Sequence, residues 1–159
     1  MSNQNYSAEQ LAERLHAIED IKKLKSRYFQ FLDNKEWDNW QTQVWAPDAT
    51  LDVPELGIDP VAGADNIANW TAARMGNVLS IHHGHMPDIE ILSDGSETGV
   101  CAKGVWAMED ILRWPTDSPG LGGSTYIHGW GHYHETYVRL AEGWRIKSSQ
   151  LTRLYVERF

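Results

Sequence analysis

Three of the chain's seven histidines, His82, His83 and His85, lie within the segment LSIHHGHMPDIEI. Histidine binds metal ions, and a neutral imidazole is also a base that can remove a weakly acidic C–H proton near neutral pH. A histidine on a half-buried strand can equally be an ordinary packed residue. In a strand, the side chains of His83 and His85 point away from that of His82. The three therefore cannot line one pocket, and the segment favours one base with two neighbours over a metal cluster.

A second group of histidines, His128, His132 and His134, lies in the segment YIHGWGHYHET. Their even positions place them on one face of a predicted strand, together with two aromatic residues. HYH fits the H-x-H pattern of metal-binding cupin barrels, which is a weak signal, and in that pattern a glutamate follows three or four residues after the second histidine. Here Glu135 follows at once and faces the opposite side. We predict no bound metal and no cofactor, and a cupin-like metal enzyme remains an alternative.

The first part of the chain is predicted to be helical. Apolar residues from Leu11 to Phe31 recur at steps of three and four, so they share one side of a helix, with charged residues such as Lys25 on the other. Asp33-Asn34 should end this helix, because asparagine tolerates the left-handed conformation. A second helix is predicted for KEWDNWQTQV and a third from about Ala64 to Met75.

The later part of the chain is predicted to be a sheet. After the strand-like segment ATLDVPEL and the third helix, the period changes to two, which predicts strands at Val78 to Leu92, Thr98 to Trp114, Thr125 to Leu140 and Trp144 to Glu157. SDGSE and AEG are predicted hairpin turns, and the irregular loop from Pro115 to Gly123 is of the kind that forms lids or binding loops. This order predicts the α+β class, with helices packed on one face of a strongly curved antiparallel sheet.

The composition excludes several classes of protein. The 159 residues fit one domain, 1–159, and 42% of them are hydrophobic, which is too apolar for a disordered chain. A net charge of −8 without a basic cluster makes a nucleic-acid partner unfavourable. The single cysteine, Cys101, allows neither an intramolecular disulfide nor a cysteine-based zinc site. No segment approaches the roughly 20 apolar residues of a membrane helix, so we expect a cytoplasmic protein without a membrane partner.

Several motifs carry a resemblance to a known family. The element order and IEDIKKLKSRYFQFLDNKEWDNW resemble the SnoaL-like branch of the nuclear transport factor 2-like superfamily over nearly the whole chain. Within that branch, IKKLKSRYFQFLDNKEWD, HHGHMPDI, MED and RLYVERF are similar to the bile-acid 7α-dehydratases. The resemblance implies a cone-shaped α+β barrel around a mostly apolar pocket. The sequence departs from the family pattern in the segment between Gly123 and Trp144. In that fold, the strands of this segment line the pocket.

The resemblance also implies the site residues. The matching positions are Tyr28, Asp33, His82, Asp110 and Arg153. In such a site Asp33 fixes the tautomer of the base His82 and stabilises the imidazolium that forms. Tyr28 donates to an oxyanion or a leaving group, and Asp110 with Arg153 forms a polar end that positions the substrate. From the residues alone, each also has a structural explanation, and either Glu109 or Asp110 faces inward.

These residues predict a cofactor-independent lyase that removes a proton beside a carbonyl or enone and eliminates hydroxide. The same His/Asp dyad also suits dehydrohalogenation, isomerisation or cyclisation, and the superfamily contains non-catalytic modules, so a ligand-binding or assembly role remains an alternative. A steroid-like or polycyclic substrate is favoured by the aromatic-rich pocket lining that we expect. That predicted lining is Trp37, Trp106, Trp114, Trp130 and His128.

Association with further copies of the chain is also expected. A curved sheet with many aromatic residues tends to leave an apolar outer face that needs a partner. The resemblance implies a homo-oligomer, with a trimer favoured over a dimer.

Overall fold

The computed structural model describes residues 6–92, 99–120 and 123–159. These residues form three α-helices, a 3₁₀ turn and six strands. In chain order they are α1 (Ala8–Asp33), α2 (Trp37–Val44), β1 (Trp45–Asp52), the 3₁₀ turn Pro54–Leu56, β2 (Val61–Ala62), α3 (Ala64–Met75), β3 (Leu79–Ile91), β4 (Ala102–Arg113), β5 (Tyr126–Leu140) and β6 (Gly143–Arg158). The predicted α+β class is confirmed. The predicted turn SDGSE lies outside the described residues.

The six strands form one open sheet in the order β2-β1-β6-β5-β4-β3. The meander from β3 to β6 is antiparallel, as predicted. The prediction of a wholly antiparallel sheet is wrong, because β1 pairs in parallel with β6, with Leu51 opposite Ser149. Parallel neighbours need a long crossover, and here it runs through β2, α3 and the strands β3 to β5. β2 and β3 form the two edges, so the strands do not close into a barrel in the described part of the chain.

Helix α1 connects the helical layer to the edge strand β3. It begins with a capping box, in which Ser7 Oγ accepts from the backbone N–H of Gln10 at 3.1 Å. It ends at Asp33 as predicted, but the residue with positive φ is Lys35 (φ 62°) rather than Asn34. The buried stripe is shorter than predicted, because the residues at 11 and 15 are exposed. It consists of Ala17, Ile21, Leu24, Lys25, Tyr28 and Leu32.

Lys25 lies in the core, which contradicts its predicted position on the charged face of the helix. Its Nζ donates to Glu135 Oε1 at 2.6 Å, and both side chains are almost fully excluded from solvent. Glu135 also accepts from the hydroxyls of Tyr137 at 2.6 Å and Ser149 at 3.1 Å. These hydrogen bonds satisfy two buried charges that would otherwise be costly. The partner lies 110 residues along the chain, so local spacing could not reveal it.

None of the helices in the described ranges has the length and apolar character needed to cross a lipid bilayer.

Candidate active site

Asp33, the last residue of α1, faces His82 on β3. The backbone N–H of His82 donates to Asp33 Oδ2 at 2.9 Å, and the imidazole Nδ1 lies 2.6 Å from Asp33 Oδ1. Because β3 is an edge strand, its outward N–H groups have no neighbouring strand, and Asp33 satisfies one of them. The His82 side chain is only 8% exposed, so the ring is held by both packing and hydrogen bonds.

A short hydrogen-bond chain stabilises the charge of Asp33. Ser80 Oγ donates to Asp33 Oδ1 at 2.9 Å and accepts from Lys35 Nζ at 2.7 Å. Partial burial acts to raise the pKa of Asp33, but the hydrogen bonds from His82 and Ser80 and the charge of His82 lower it overall. Sequence reasoning missed Ser80 and Lys35, although strand alternation places Ser80 on the same face as His82.

The protonation of His82 follows from this partner. An ionised carboxylate only accepts hydrogen bonds, so Nδ1 carries the proton and, in the neutral ring, Nε2 keeps its lone pair. Within the described ranges no side chain or backbone group hydrogen-bonds to Nε2, and His82 lines a cavity of about 650 Å³. The ring can therefore accept a proton from a molecule in that cavity.

The cavity has a polar end and apolar walls. Tyr28, His82, Asp110 and Arg153 all line it, so four of the five predicted catalytic side chains meet there, with Asp33 directly behind His82. The predicted wall residue Trp114 also lines it. Large apolar neighbours complete the walls, namely Leu32, Trp40, Leu51, Trp70, Met75 and Leu112. A volume of this size suits a drug-sized hydrophobic molecule.

Two buried tyrosines lie side by side at the polar end. Tyr28 and Tyr133 have ring centroids 5.9 Å apart and pack edge to face. Burial raises the pKa of both phenols, and the carboxylates of Glu135 and Asp110 raise them further. Both hydroxyls therefore stay protonated and can donate hydrogen bonds. Tyr133 was not predicted, because the sequence analysis placed the even-numbered residues of β5, which include the histidines on either side of Tyr133, on the cavity side.

Asp110 and Arg153 form a buried ion pair next to His82. Asp110 is the cross-strand partner of His82, which resolves the choice between Glu109 and Asp110 in favour of Asp110 as the inward residue. Arg153 Nη2 binds Asp110 Oδ2, and Nη1 binds Glu55 on the 3₁₀ turn. Burial acts to lower the pKa of Arg153, but the two carboxylates raise it above its usual value.

Glycine at position 129 makes room for this ion pair. A Cβ added to Gly129 would overlap both Asp110 Oδ1 and Arg153 Nε, so a larger residue would push the pair apart. Sequence reasoning missed both Gly129 and Glu55, since nothing local to either residue points to a partner on another strand.

Four of the predicted wall residues do not line the cavity. Trp106 is in the core, where its Nε1 donates to Tyr137 Oη at 2.8 Å, and Trp37 packs against another indole on α2. Trp130 and His128 lie on the opposite face of β5, where their rings are 3.9 Å apart. The odd residues of β5 face inward, because Tyr133 and Tyr137 on that face fill the core.

The remaining histidines lie outside the cavity. His85 and His128 each place Nε2 near one oxygen of Glu109, at 3.3 and 2.7 Å. His132 and His134 share the outer face of β5, whereas Glu135 faces the core and binds Lys25. No three His, Cys, Asp or Glu side chains in the described segments are grouped so that they could hold a metal ion.

The loop that was predicted as a lid or binding loop lies at the cavity. Ser118, Pro119 and Gly120 line it. Gly120 packs so closely on the indole of Trp114 that an added Cβ would overlap the ring. Residues 121 and 122 lie outside the described ranges.

Comparison with known proteins gives one family. Residues 13–150 match the sequence model of the SnoaL-like domain. A probable cyclase from Gibberella zeae is 26% identical over 140 residues, which cover 85% of this chain and 89% of that protein.

Solved structures agree with the fold. A protein from Kribbella flavida superposes with a TM-score of 0.78 at 22% identity, covering 91% of this chain and 95% of that one. The hexachlorocyclohexane dehydrochlorinase LinA type 3 from Novosphingobium barchaimii superposes with a TM-score of 0.72 at 18% identity, covering 93% of each chain. At these identities the likeness shows the fold alone.

Proposed function

The chain belongs to the SnoaL-like domain family, since the match spans most of its length, and from this we propose that it is a cofactor-independent lyase. We propose dehydration of a steroid-like or polycyclic substrate, the reaction type of the bile-acid 7α-dehydratases that its motifs resemble. One observation carries the proposal: His82 Nδ1 lies 2.6 Å from Asp33 Oδ1, and the ring lines a cavity of about 650 Å³.

The proposed reaction begins with proton transfer to His82. Nε2 takes the proton from a carbon beside a carbonyl or enone, and Asp33 stabilises the imidazolium that forms. The electrons of the broken C–H bond enter the enolate, whose oxygen accepts a hydrogen bond from Tyr28 or Tyr133.

Elimination completes the reaction. The enolate electrons form the new C=C bond as the C–O bond to the leaving hydroxyl breaks. The hydroxyl takes a proton from the imidazolium or through a tyrosine and leaves as water, so His82 returns to its neutral state. No redox change occurs, and no cofactor is needed. The Asp110–Arg153 ion pair forms the polar end of the cavity and positions the substrate there.

Two observations favour related reactions as the second candidate. The Gibberella zeae relative is named as a probable cyclase, and the Novosphingobium structure is a dehydrochlorinase. The same dyad serves cyclisation or loss of a halide, because each begins with removal of a C–H proton. A non-catalytic binder is less well supported, because a carrier has no need of a His/Asp pair in contact with the ligand cavity.

The test is turnover of a panel of hydroxylated enones and steroid conjugates by wild type, H82A and H83A. His83 is exposed on the other side of β3, so H83A is the matched control. We expect H82A to lose on the order of 10² to 10⁴-fold in rate, and H83A to keep the wild-type rate. Equal rates in wild type and H82A would remove His82 from the mechanism. Halide release from chlorinated analogues distinguishes dehydrohalogenation.

We also propose that the protein is a homo-oligomer, with a trimer first and a dimer next. Tyr155 and Phe159 are 58% and 75% exposed and contact Trp130 and Tyr126 on the outer side of the sheet. Such exposed aromatic rings favour burial against another copy. Light scattering that shows only an 18.1 kDa species would contradict this proposal.

A further inference from the structure

Arg153 is the cation at the polar end of the cavity, and both of its terminal nitrogens are already bound to carboxylates. We infer that Glu55, by occupying Arg153, restricts this end to an uncharged oxygen function, such as a ketone or hydroxyl, and excludes carboxylates. Glu55 is then a residue that determines specificity and acts through Arg153. The inference rests on the proposed function only in taking the cavity as the substrate site.

The contacts of Arg153 leave few of its N–H groups free to bind a ligand. Nη1 binds Glu55 and Nη2 binds Asp110, and the side chain is 11% exposed. The third nitrogen, Nε, is buried next to the position that a Cβ of Gly129 would occupy. A ligand carboxylate therefore cannot form the paired hydrogen bonds that arginine usually offers without displacing a protein carboxylate.

The charge balance at this end also disfavours an anion. Arg153 already has two carboxylates, Asp110 and Glu55, bound to its terminal nitrogens. A further carboxylate at this end would lose its hydration and lie next to these two negative charges. The hydrogen bonds that remain for a ligand come from the neutral phenols Tyr28 and Tyr133, which suit a carbonyl or hydroxyl oxygen.

Glu55 is the part of this arrangement that can be changed alone. Asp110 is 1% exposed and lies between two other strands, whereas Glu55 sits on the exposed 3₁₀ turn. Within the described ranges its carboxylate accepts a hydrogen bond from Arg153 Nη1. Neutralising Glu55 replaces its charge-assisted hydrogen bond to Arg153 Nη1 with a weaker neutral one, which a ligand carboxylate can displace, and removes one negative charge from the cavity.

Arg74 requires a control, because it is a second cation on the cavity lining. It lies on the exposed side of α3, where its guanidinium stacks on Trp70 at 4.1 Å. A ligand carboxylate held by Arg74 would hide the effect of Glu55. The comparison is therefore made in the R74Q background as well as in the wild type.

The test uses two ligands of similar shape, neutral 2-acetylnaphthalene and anionic 2-naphthoate, with dissociation constants from isothermal titration calorimetry. R74Q is compared with R74Q/E55Q and with R74Q/E90Q. The last is the matched control, since Glu90 pairs with Lys103 on the sheet surface and loses the same charge. We expect R74Q to bind the ketone more tightly by on the order of tenfold, and R74Q/E55Q to lose that preference. R74Q/E90Q should keep it.

Several results would overturn the inference. The first is that R74Q/E55Q and R74Q have the same ratio of the two affinities, and the second is that R74Q/E90Q changes this ratio as much as R74Q/E55Q does. The others are that R74Q prefers naphthoate, or that R74Q binds neither ligand. The wild type should show the same direction of change on E55Q. Because binding is measured without turnover, absence of lyase activity with the selectivity change intact would overturn only the proposed reaction. Turnover with unchanged selectivity would overturn only the role of Glu55.

Discussion

One carboxylate holds both the ring and the backbone of the proposed base: Asp33 accepts from the Nδ1 of His82 at 2.6 Å and from its backbone N–H at 2.9 Å. Asp33, the last residue of α1, therefore also joins the helix to the edge strand β3 through hydrogen bonds. The base cannot shift relative to α1 without breaking two hydrogen bonds. Changes at Asp33 should therefore affect both the chemistry and the stability of the protein.

Replacing Asp33 with asparagine should abolish most of the activity. The amide of D33N can donate to Nδ1, which favours the tautomer with the proton on Nε2 and removes the base. We expect kcat to fall on the order of 10² to 10⁴-fold with little change in KM. Steady-state kinetics measure this, and D38N on the exposed side of α2 is the control. Wild-type turnover by D33N would contradict the dyad.

The same carboxylate should make stability depend on pH. The pKa of Asp33 is lowered in the folded state, so the ionised form stabilises the protein above the unfolded pKa of about 4. That contribution is lost as the pH falls through the lower, folded pKa. Urea unfolding of wild type and D33N from pH 5 to pH 3 should show a difference in unfolding free energy that is full at pH 5 and shrinks as the pH falls. A difference that grows in acid would contradict this sign.

The paired phenols should contribute to the chemical step. Y28F and Y133F each remove one of the two candidate donors to the proposed oxyanion, and for the variant that removes the actual donor we expect kcat to fall on the order of 10² to 10³-fold. Tyr126 lies on the outer face of β5, which makes Y126F the control. If Y28F lowers affinity for a neutral ligand but leaves kcat unchanged, Tyr28 only binds the substrate.

The sequence predicted the elements well but predicted only part of the site. Hydrophobic periodicity depends on local spacing, so α1, α3 and the four long strands were found within a few residues. The inward face of β5 was misjudged because both of its faces carry aromatic residues, and only the packing of Tyr133 and Tyr137 in the core decides between them. Trp130 and His128 were therefore placed in the cavity, and Tyr133 was overlooked.

Other parts of the site depend on contacts between distant segments. The parallel pairing of β1 with β6, the binding of Arg153 by Glu55 and the burial of Lys25 join residues about 100 positions apart. No local pattern specifies such pairs. The match of Asp33 to His82 was predicted, but it came from the resemblance rather than from spacing.

Gly129 should not tolerate a side chain. In G129A the new Cβ would overlap Asp110 Oδ1 and Arg153 Nε, so the ion pair has to separate or move into the cavity. We expect loss of activity together with a fall in unfolding free energy of roughly 1 to 3 kcal/mol, the range for overpacking a buried site. Activity and urea unfolding are measured together. A G129A protein with wild-type kinetics would show that the position of the ion pair is unimportant for the reaction.

Removing the buried charge of Lys25 should be among the most destabilising changes on α1. K25M leaves Glu135 buried without its cation, and breaking a buried pair in this way costs about 3 to 5 kcal/mol of unfolding free energy. K22M is the matched control: Lys22 binds Glu19 on the same helix at the same 2.6 Å, but both side chains are exposed, and such pairs contribute at most about 0.5 kcal/mol.

In the double variant K25M/E135Q the lone charge is gone, so part of the lost unfolding free energy should return. Urea unfolding gives all three values. Equal effects of K25M and K22M would contradict the importance of burial, and a double variant less stable than K25M would show that the cost comes from lost packing rather than from an unpaired carboxylate.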